Sequence, residues 1–287
     1  MPAELTQAAI REGLRRLGLG PGDDLMLHCS LSSLGHVHGG AEALIEAVLG
    51  AVSPGGTVLM PTLPDIYQPF DVRTSPSTVG KVSEAFRLRP DALRSRHPSH
   101  SVAAIGPRAA EYVRGHEDVL PTGPGSPYDR LRRNHGWVLL LGVDHDRNTM
   151  LHLAETIAGS AYLRDATVQV VTEGGDIAPV TLHKMAYGHR QFISLDRGLS
   201  QAGIQRLGHI GAAVARLMRA DELVAFALER LRQDPAALLC SKPRCIFCLW
   251  ARARIRQAQT GQPDNTNWQE LSRRWGCGDP HCEVCTV

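Results

Sequence analysis

His152 and Glu155 stand three residues apart in a stretch with helical apolar spacing, which sets both side chains on one face, with about 5 to 6 Å between Cβ atoms. A carboxylate there accepts a proton from one imidazole nitrogen, fixes the tautomer and raises the basicity of the other. Acyl transfer needs such a base, because the attacking ammonium or hydroxyl must lose a proton. A surface His/Glu pair has the same spacing, so the dyad needs context. A second constellation is the turn Ser30-Leu-Ser32-Ser33-Leu34-Gly35, followed by Gly39-Gly40 and a helix. Hydroxyls and backbone amides at such a place can hold a phosphate, and the phosphates of coenzyme A would fit; a plain tight turn with a helix cap uses the same residues. The turn lacks the lysine of a Walker A motif and the spaced glycines of a dinucleotide fingerprint, which argues against ATP and NAD.

Six of the seven cysteines fall in two copies of C-x4-C-x2-C, Cys240-Ser-Lys-Pro-Arg-Cys245-Ile-Phe-Cys248 and Cys277-Gly-Asp-Pro-His-Cys282-Glu-Val-Cys285. In a reducing compartment that thiolate density and spacing read as a metal site, with zinc the default. Cys245, Cys248, Cys282 and Cys285 form the expected tetrahedral set, with Cys240 and Cys277 as extra ligands. Two bridged zincs, or an iron–sulfur cluster, fit the spacing as well. Cys29, alone in an apolar strand, reads as a core residue rather than a nucleophile.

Certain elements must position these residues. Residues 6–17 predict an opening helix with Ala9, Ile10, Leu14 and Leu17 on one face, closed by a glycine-rich stop. Strand 25–29, the serine turn, helix 41–52 and strand 57–60 give a βαβ rhythm, so the fold class is α/β with its ligand crevice at the strand ends. Residues 63–98 form a proline- and serine-rich excursion around one short helix, 79–89, expected to line a substrate. Strands return at 101–105 and 137–143, a hairpin at 166–172 and 177–182 turns on Gly174-Gly175, and a helix at 222–232 closes the core. After Pro235 the composition shifts to cysteine and tryptophan. The expected organisation is a domain over residues 1–235 and a small metal-stapled module over 236–287.

Composition narrows the class. A formal net charge of +2 leaves no strong whole-molecule field, so nucleic acid is neither demanded nor excluded; the tail's basic excess of three would suit a phosphate partner, or none. Aromatics at 5% leave little for base-stacking platforms. No export signal and no apolar run near the roughly 20 residues of a membrane span appear, so no membrane is expected and the location is cytoplasmic. The oligomeric state is open.

Several blocks, taken in order, resemble the aminoglycoside 3-N-acetyltransferase family. They are His28-Cys-Ser30-Leu-Ser32-Ser33-Leu34-Gly35, Gly39-Gly40-Ala41, Gly55-Gly56-Thr57-Val58-Leu59-Met60-Pro61-Thr62, Arg94-Ser95-Arg96-His97-Pro98-Ser99-His100-Ser101-Val102, and the stretch from Gly142-Val143-Asp144 to His152-Leu153-Ala154-Glu155. The resemblance covers roughly residues 18–164, with a weaker echo at 211–223. It implies an antibiotic N-acetyltransferase-like mixed sheet with flanking helices, unrelated to the histone-acetyltransferase type, and acetyl-CoA as donor. By the same resemblance His152 matches the general base and Glu155 its partner, while Ser32, Ser33, Ser101, Val102 and Ala103 match segments along the coenzyme path. The implied reaction is direct attack of an amine of an aminoglycoside or amino-sugar-like molecule on the thioester. One departure stands out: where family members carry a run of acidic residues after the hairpin, this chain has Tyr187-Gly-His189-Arg190-Gln191-Phe192-Ile193. A histidine and an arginine inside the pocket would repel ammonium groups, so a smaller amine, or one bearing an acidic group, is an alternative acceptor. A rival of another class is a binding module, whose acyltransferase-like core has lost its acceptor and whose zinc tail recognises nucleic acid or protein.

Overall fold

The computed structural model describes residues 4–186 and 188–275. Its strands are β1 Leu25–Cys29, β2 Val58–Pro61, β3 Leu93–Arg94, β4 Val102–Ile105, β5 Trp137–Leu141, β6 Arg164–Val171, β7 Ile177–Met185, β8 Gln205–Ile210 and β9 Ala213–Arg219. Its helices are α1 Gln7–Leu17, α2 Gly40–Val52, α3 Lys81–Arg87, α4 Ala109–Val113, α5 Pro127–Arg133, α6 Met150–Ile157, α7 Asp196–Gln201, α8 Ala220–Gln233, α9 Ile246–Thr260 and α10 Trp268–Trp275.

Seven strands form one mixed sheet in the order β3-β4-β2-β1-β5-β9-β8, and β6 and β7 pair as a separate hairpin. The βαβ expectation is met at the centre, where β1 runs parallel to β2 and to β5, whereas β4 and β9 pair antiparallel. Period-two alternation divides the apolar residues between two faces. Leu25, Leu27, Leu139 and Leu141 join the core under α1 and α2, while Met26, Val138 and Leu140 join the core under α6 and α8. Both faces of the central strands are therefore buried, which explains their unbroken apolar runs.

α1 begins where expected, with the Thr6 side chain accepting a hydrogen bond from the Ala9 amide, and buries Ile10, Leu14 and Leu17; Ala9 faces solvent instead. β8, β9 and the short helices α4, α5 and α7 have no counterpart in the sequence expectations. β8 in particular alternates poorly, with Arg206 and Leu207 both exposed on an edge. Beyond α8 the chain turns back on the body. Leu238 enters the core with α6 and α8, and Leu239, Cys240, Cys245, Ile246 and Cys248 pack with Tyr162.

Candidate active site and cysteine cluster

Because β1 and β5 are parallel neighbours, the loops leaving their carboxyl ends meet at one edge of the sheet, the usual ligand crevice of an open α/β fold. Gly142 makes the approach close enough. Its φ is +70°, and a Cβ there would lie 2.6 Å from the Ser33 Cβ, so the loop after β5 packs directly on the serine turn. The cleft between them has a volume of about 1180 Å³. Ser30, Ser32 and Gly35 line it, with Asp144 and Thr149 from the β5 loop. The hydroxyls form a small web, Ser33 Oγ donating to Ser30 Oγ at 2.9 Å with Ser32 Oγ 3.2 Å from the same atom. Gly39 is exposed beside Gly40, at the start of α2. Leu34 points the other way, into the core. Ser101, Val102 and Ala103 are also buried: the Ser101 hydroxyl donates to the Thr62 carbonyl at 2.7 Å, and Val102 and Ala103 join opposite cores. The structure brings together only the first loop of the expected coenzyme path.

Two cations escaped the sequence reading. Lys81 and Arg147 are exposed and line the same cleft as the serine turn. Arg147 lies within the motif that carries His152 and Glu155, and Lys81 within the excursion expected to line a substrate. Cys29 also borders the cleft, but burial pushes its thiol up to about 12, so it stays protonated at neutral pH.

His152 and Glu155 occupy the first turns of α6, directly after the cleft residue Thr149. His152 Nδ1 lies 2.7 Å from Glu155 Oε2, while the His152 ring keeps partial exposure and rests edge-on to Phe192 at 5.0 Å. Glu155 is fully buried, and its second oxygen accepts from Tyr162 at 2.9 Å and from Arg190 Nε at 2.5 Å. Burial opposes its charge, yet the Arg190 guanidinium and the His152 hydrogen bond outweigh burial and hold the carboxyl down at about 2. A carboxylate fixed on both oxygens leaves His152 one geometry, with Nδ1–H toward Glu155 and Nε2 free to accept a proton.

Arg190 and His189 are thus not pocket-lining cations. Arg190 is buried, with its guanidinium on Glu155 and 4.7 Å from the Tyr162 ring centroid. His189 turns to the cysteines: its Nδ1 lies 3.6 Å from Cys245 Sγ and 3.8 Å from Cys248 Sγ. The ligand atoms of His189, Cys240, Cys245 and Cys248 all fall within 4.8 Å of one another, and the three cysteines are buried. Of the expected metal set, Cys245 and Cys248 are in this cluster; Cys282 and Cys285, with Cys277, lie outside the described residues. No helix among the described residues is long and apolar enough to cross a membrane.

Comparison with known proteins returns one consistent likeness. The family model for aminoglycoside 3-N-acetyltransferase matches residues 26–232. Aminoglycoside N(3)-acetyltransferase IV of Salmonella sp is 38% identical over 244 residues, spanning 83% of this chain and 92% of that protein. A solved structure of a mutant aminoglycoside acetyltransferase AAC(3)-IVa in complex with gentamicin is 36% identical, with a TM-score of 0.82 over 88% of this chain and 98% of that one. A binary complex of AAC-IIIb with CoASH is 27% identical, with a TM-score of 0.76 over 84% of this chain and all of that one, 100%.

Proposed function

We propose that this chain, which belongs to the aminoglycoside 3-N-acetyltransferase family and is an acyltransferase, moves the acetyl group of acetyl-CoA directly to an aminoglycoside amine with His152 as general base. The carrying observation is the His152–Glu155 pair, its carboxylate held by Arg190 and Tyr162 beside a cleft large enough for a coenzyme arm. Ser30, Ser32 and Gly35 supply hydroxyls and backbone amides to the donor, and Lys81 and Arg147 supply positive charge to its phosphates. An acceptor amine arrives as an ammonium. His152 Nε2 takes its proton, the freed nitrogen attacks the thioester carbonyl, the new C–N bond forms, and the C–S bond breaks. The proton held by the imidazolium then passes to the departing thiolate, and the second proton of the acylated nitrogen is released to solvent, leaving amide, free thiol and one solvent proton with the base restored. Glu155 stabilises the transient imidazolium from Oε2.

Direct attack is favoured over an acyl-enzyme on Cys29 because that thiol remains protonated near neutrality. An aminoglycoside acceptor is supported by the placement of His189 and Arg190 outside the cleft, which removes the repulsion expected from the sequence, and by Asp144 on the cleft wall, whose charge suits incoming ammonium groups. That gentamicin is bound in a related protein agrees with this reading. A reducing, cytoplasmic setting would supply acetyl-CoA and keep the thiols free. The test is thiol release from acetyl-CoA across gentamicin-like, kanamycin-like and apramycin-like compounds, set against simple polyamines and amino sugars. Turnover confined to the simple amines would overturn the aminoglycoside acceptor. No thiol release with any amine would overturn acetyl transfer.

A further inference from the structure

We propose that His189, Cys240, Cys245 and Cys248 bind one zinc ion whose structural work is to hold Arg190 against Glu155, so that a metal in the cysteine-rich tail positions the catalytic pair. The donor geometry comes first. With zinc–sulfur near 2.3 Å and zinc–nitrogen near 2.1 Å, a tetrahedral site separates a sulfur from a nitrogen donor by about 3.6 Å. His189 Nδ1 stands 3.6 and 3.8 Å from the sulfurs of Cys245 and Cys248. Three buried thiols and one imidazole converge on a space of ionic size, and no second cysteine box is needed to complete four ligands. The Cys240 amide donates to Cys248 Sγ at 3.3 Å, the contact that stabilises a metal-bound thiolate. Cys245 stands at the N-cap position of the 15-residue α9, whose amino end carries a partial positive charge that favours the same anionic state.

The link to chemistry runs through the residue after the histidine ligand. Gly188 has φ +88°, and a Cβ there would lie 2.5 Å from the ring of Phe247, which sits between Cys245 and Cys248. On the other side the Gln191 amide donates to the Leu238 carbonyl at 3.0 Å. The segment carrying Arg190 is therefore held between Phe247 and Leu238, with His189 fastened to the cysteines. From that anchorage Arg190 Nε reaches Glu155 Oε1 at 2.5 Å. Tyr162, packed in the cluster with Cys240, Cys245 and Cys248, donates to the same oxygen at 2.9 Å. Both groups that grip Oε1 thus rest on the cysteine cluster, and Oε2 is left to orient His152. No cleft-lining residue belongs to the cluster, so loss of metal should reach kcat more than coenzyme binding. Arg190 is a positioning residue, and this half of the proposal rests on the acyl-transfer reading; the metal half does not.

The test uses the full chain in three measurements. Elemental analysis should find zinc that is lost in His189→Ala and in Cys240→Ser, and kept in a Cys282→Ser/Cys285→Ser double variant. Cobalt exchanged for zinc should give the visible bands of tetrahedral coordination with thiolate-to-metal charge transfer, altered by His189→Ala and unaltered by the double variant. Stripping zinc from the native protein with a chelator should lower kcat roughly 10- to 100-fold, the usual cost of losing an outer-shell support, with KM for acetyl-CoA little changed. Adding zinc back should restore it, and His189→Cys should rescue both metal and turnover. Metal lost only in the double variant, a disulfide within the cluster, or thiols free of any metal would overturn the site. Zinc removed with kcat unchanged would overturn the positioning role. Zinc and cobalt signals as expected in a protein that acetylates no amine would uphold the site and count against the acyl-transfer reading instead.

Discussion

Replacing Glu155 by glutamine exchanges one carboxylate oxygen for an amide nitrogen, and the surrounding contacts decide which. Oε1 accepts from Arg190 Nε and the Tyr162 hydroxyl. Arg190 has no acceptor to offer, so the amide oxygen must occupy that position and the amide nitrogen must face His152 Nδ1, now 2.7 Å from Oε2. An amide N–H pointing at Nδ1 makes that nitrogen the acceptor and moves the imidazole proton to Nε2. His152 then presents a donor where the mechanism needs a base. Turning the carboxylate of a catalytic triad into an amide costs about 10⁴ in kcat for this reason, or about 5 kcal/mol of transition-state stabilisation. We expect a loss of that order in thiol release, with acetyl-CoA binding retained. Nitrogen-15 NMR of the histidines should show the Nε2–H tautomer in the variant and the Nδ1–H tautomer in the native protein. The substitution also leaves Arg190 buried without its counter-charge, at a cost of about 3 to 5 kcal/mol, so a lowered melting temperature is part of the expectation and the assay belongs below it. A folded variant that keeps more than a tenth of native kcat, or a native protein with the proton on Nε2, would refute the orienting role of Glu155.

His152→Ala should cut kcat roughly 10² to 10⁴-fold while a coenzyme-binding titration stays near native; an equal loss of binding would make His152 structural. Lys81→Ala and Arg147→Ala should each raise KM for acetyl-CoA roughly tenfold, about 1.4 kcal/mol, with little change in kcat and a weaker dependence on salt; an unchanged KM would remove them from the phosphate path. Acid should unfold the protein early, because burial, aided by neighbouring positive charge, depresses His28 and His100 to about 3 and His116 to about 4. Below pH 6.5 the unfolded chain binds protons these rings cannot, so stability is complete above that pH and lost as pH falls toward the folded values. At about 1.36 kcal/mol per unit and ring, three rings lose about 6 kcal/mol between pH 6.5 and 5, comparable with a whole domain's stability. Glu155, held at about 2, keeps its charge throughout that window. Melting temperatures that stay flat from pH 7 to 5 would contradict this.

Local pattern was enough for much of the molecule. The apolar runs of β1, β2 and β5, the glycine stops and the spacing of His152 and Glu155 depend on neighbours within a few residues, so the α/β class, the serine turn and the shared helix face of His152 and Glu155 were legible from the residues themselves, whereas a catalytic reading of that pair needed the family resemblance. The rest depends on contacts between distant segments. Arg190 reads in sequence as a pocket cation and becomes a buried clamp on a carboxylate 35 positions earlier. His189 carries no ligand signature of its own and meets Cys248 across 59 positions, because the chain after α8 folds back onto the body. Ser101, Val102 and Ala103 sit in a motif that suggests a ligand path, yet pairing between β2 and β4 puts them in the sheet interior. Spacing along the chain sets which groups can share a helix face or a turn. Which charges neutralise each other, which nitrogen of an imidazole is free and which cysteines gain a histidine is decided by burial, since only a tertiary arrangement removes water and makes partnership obligatory.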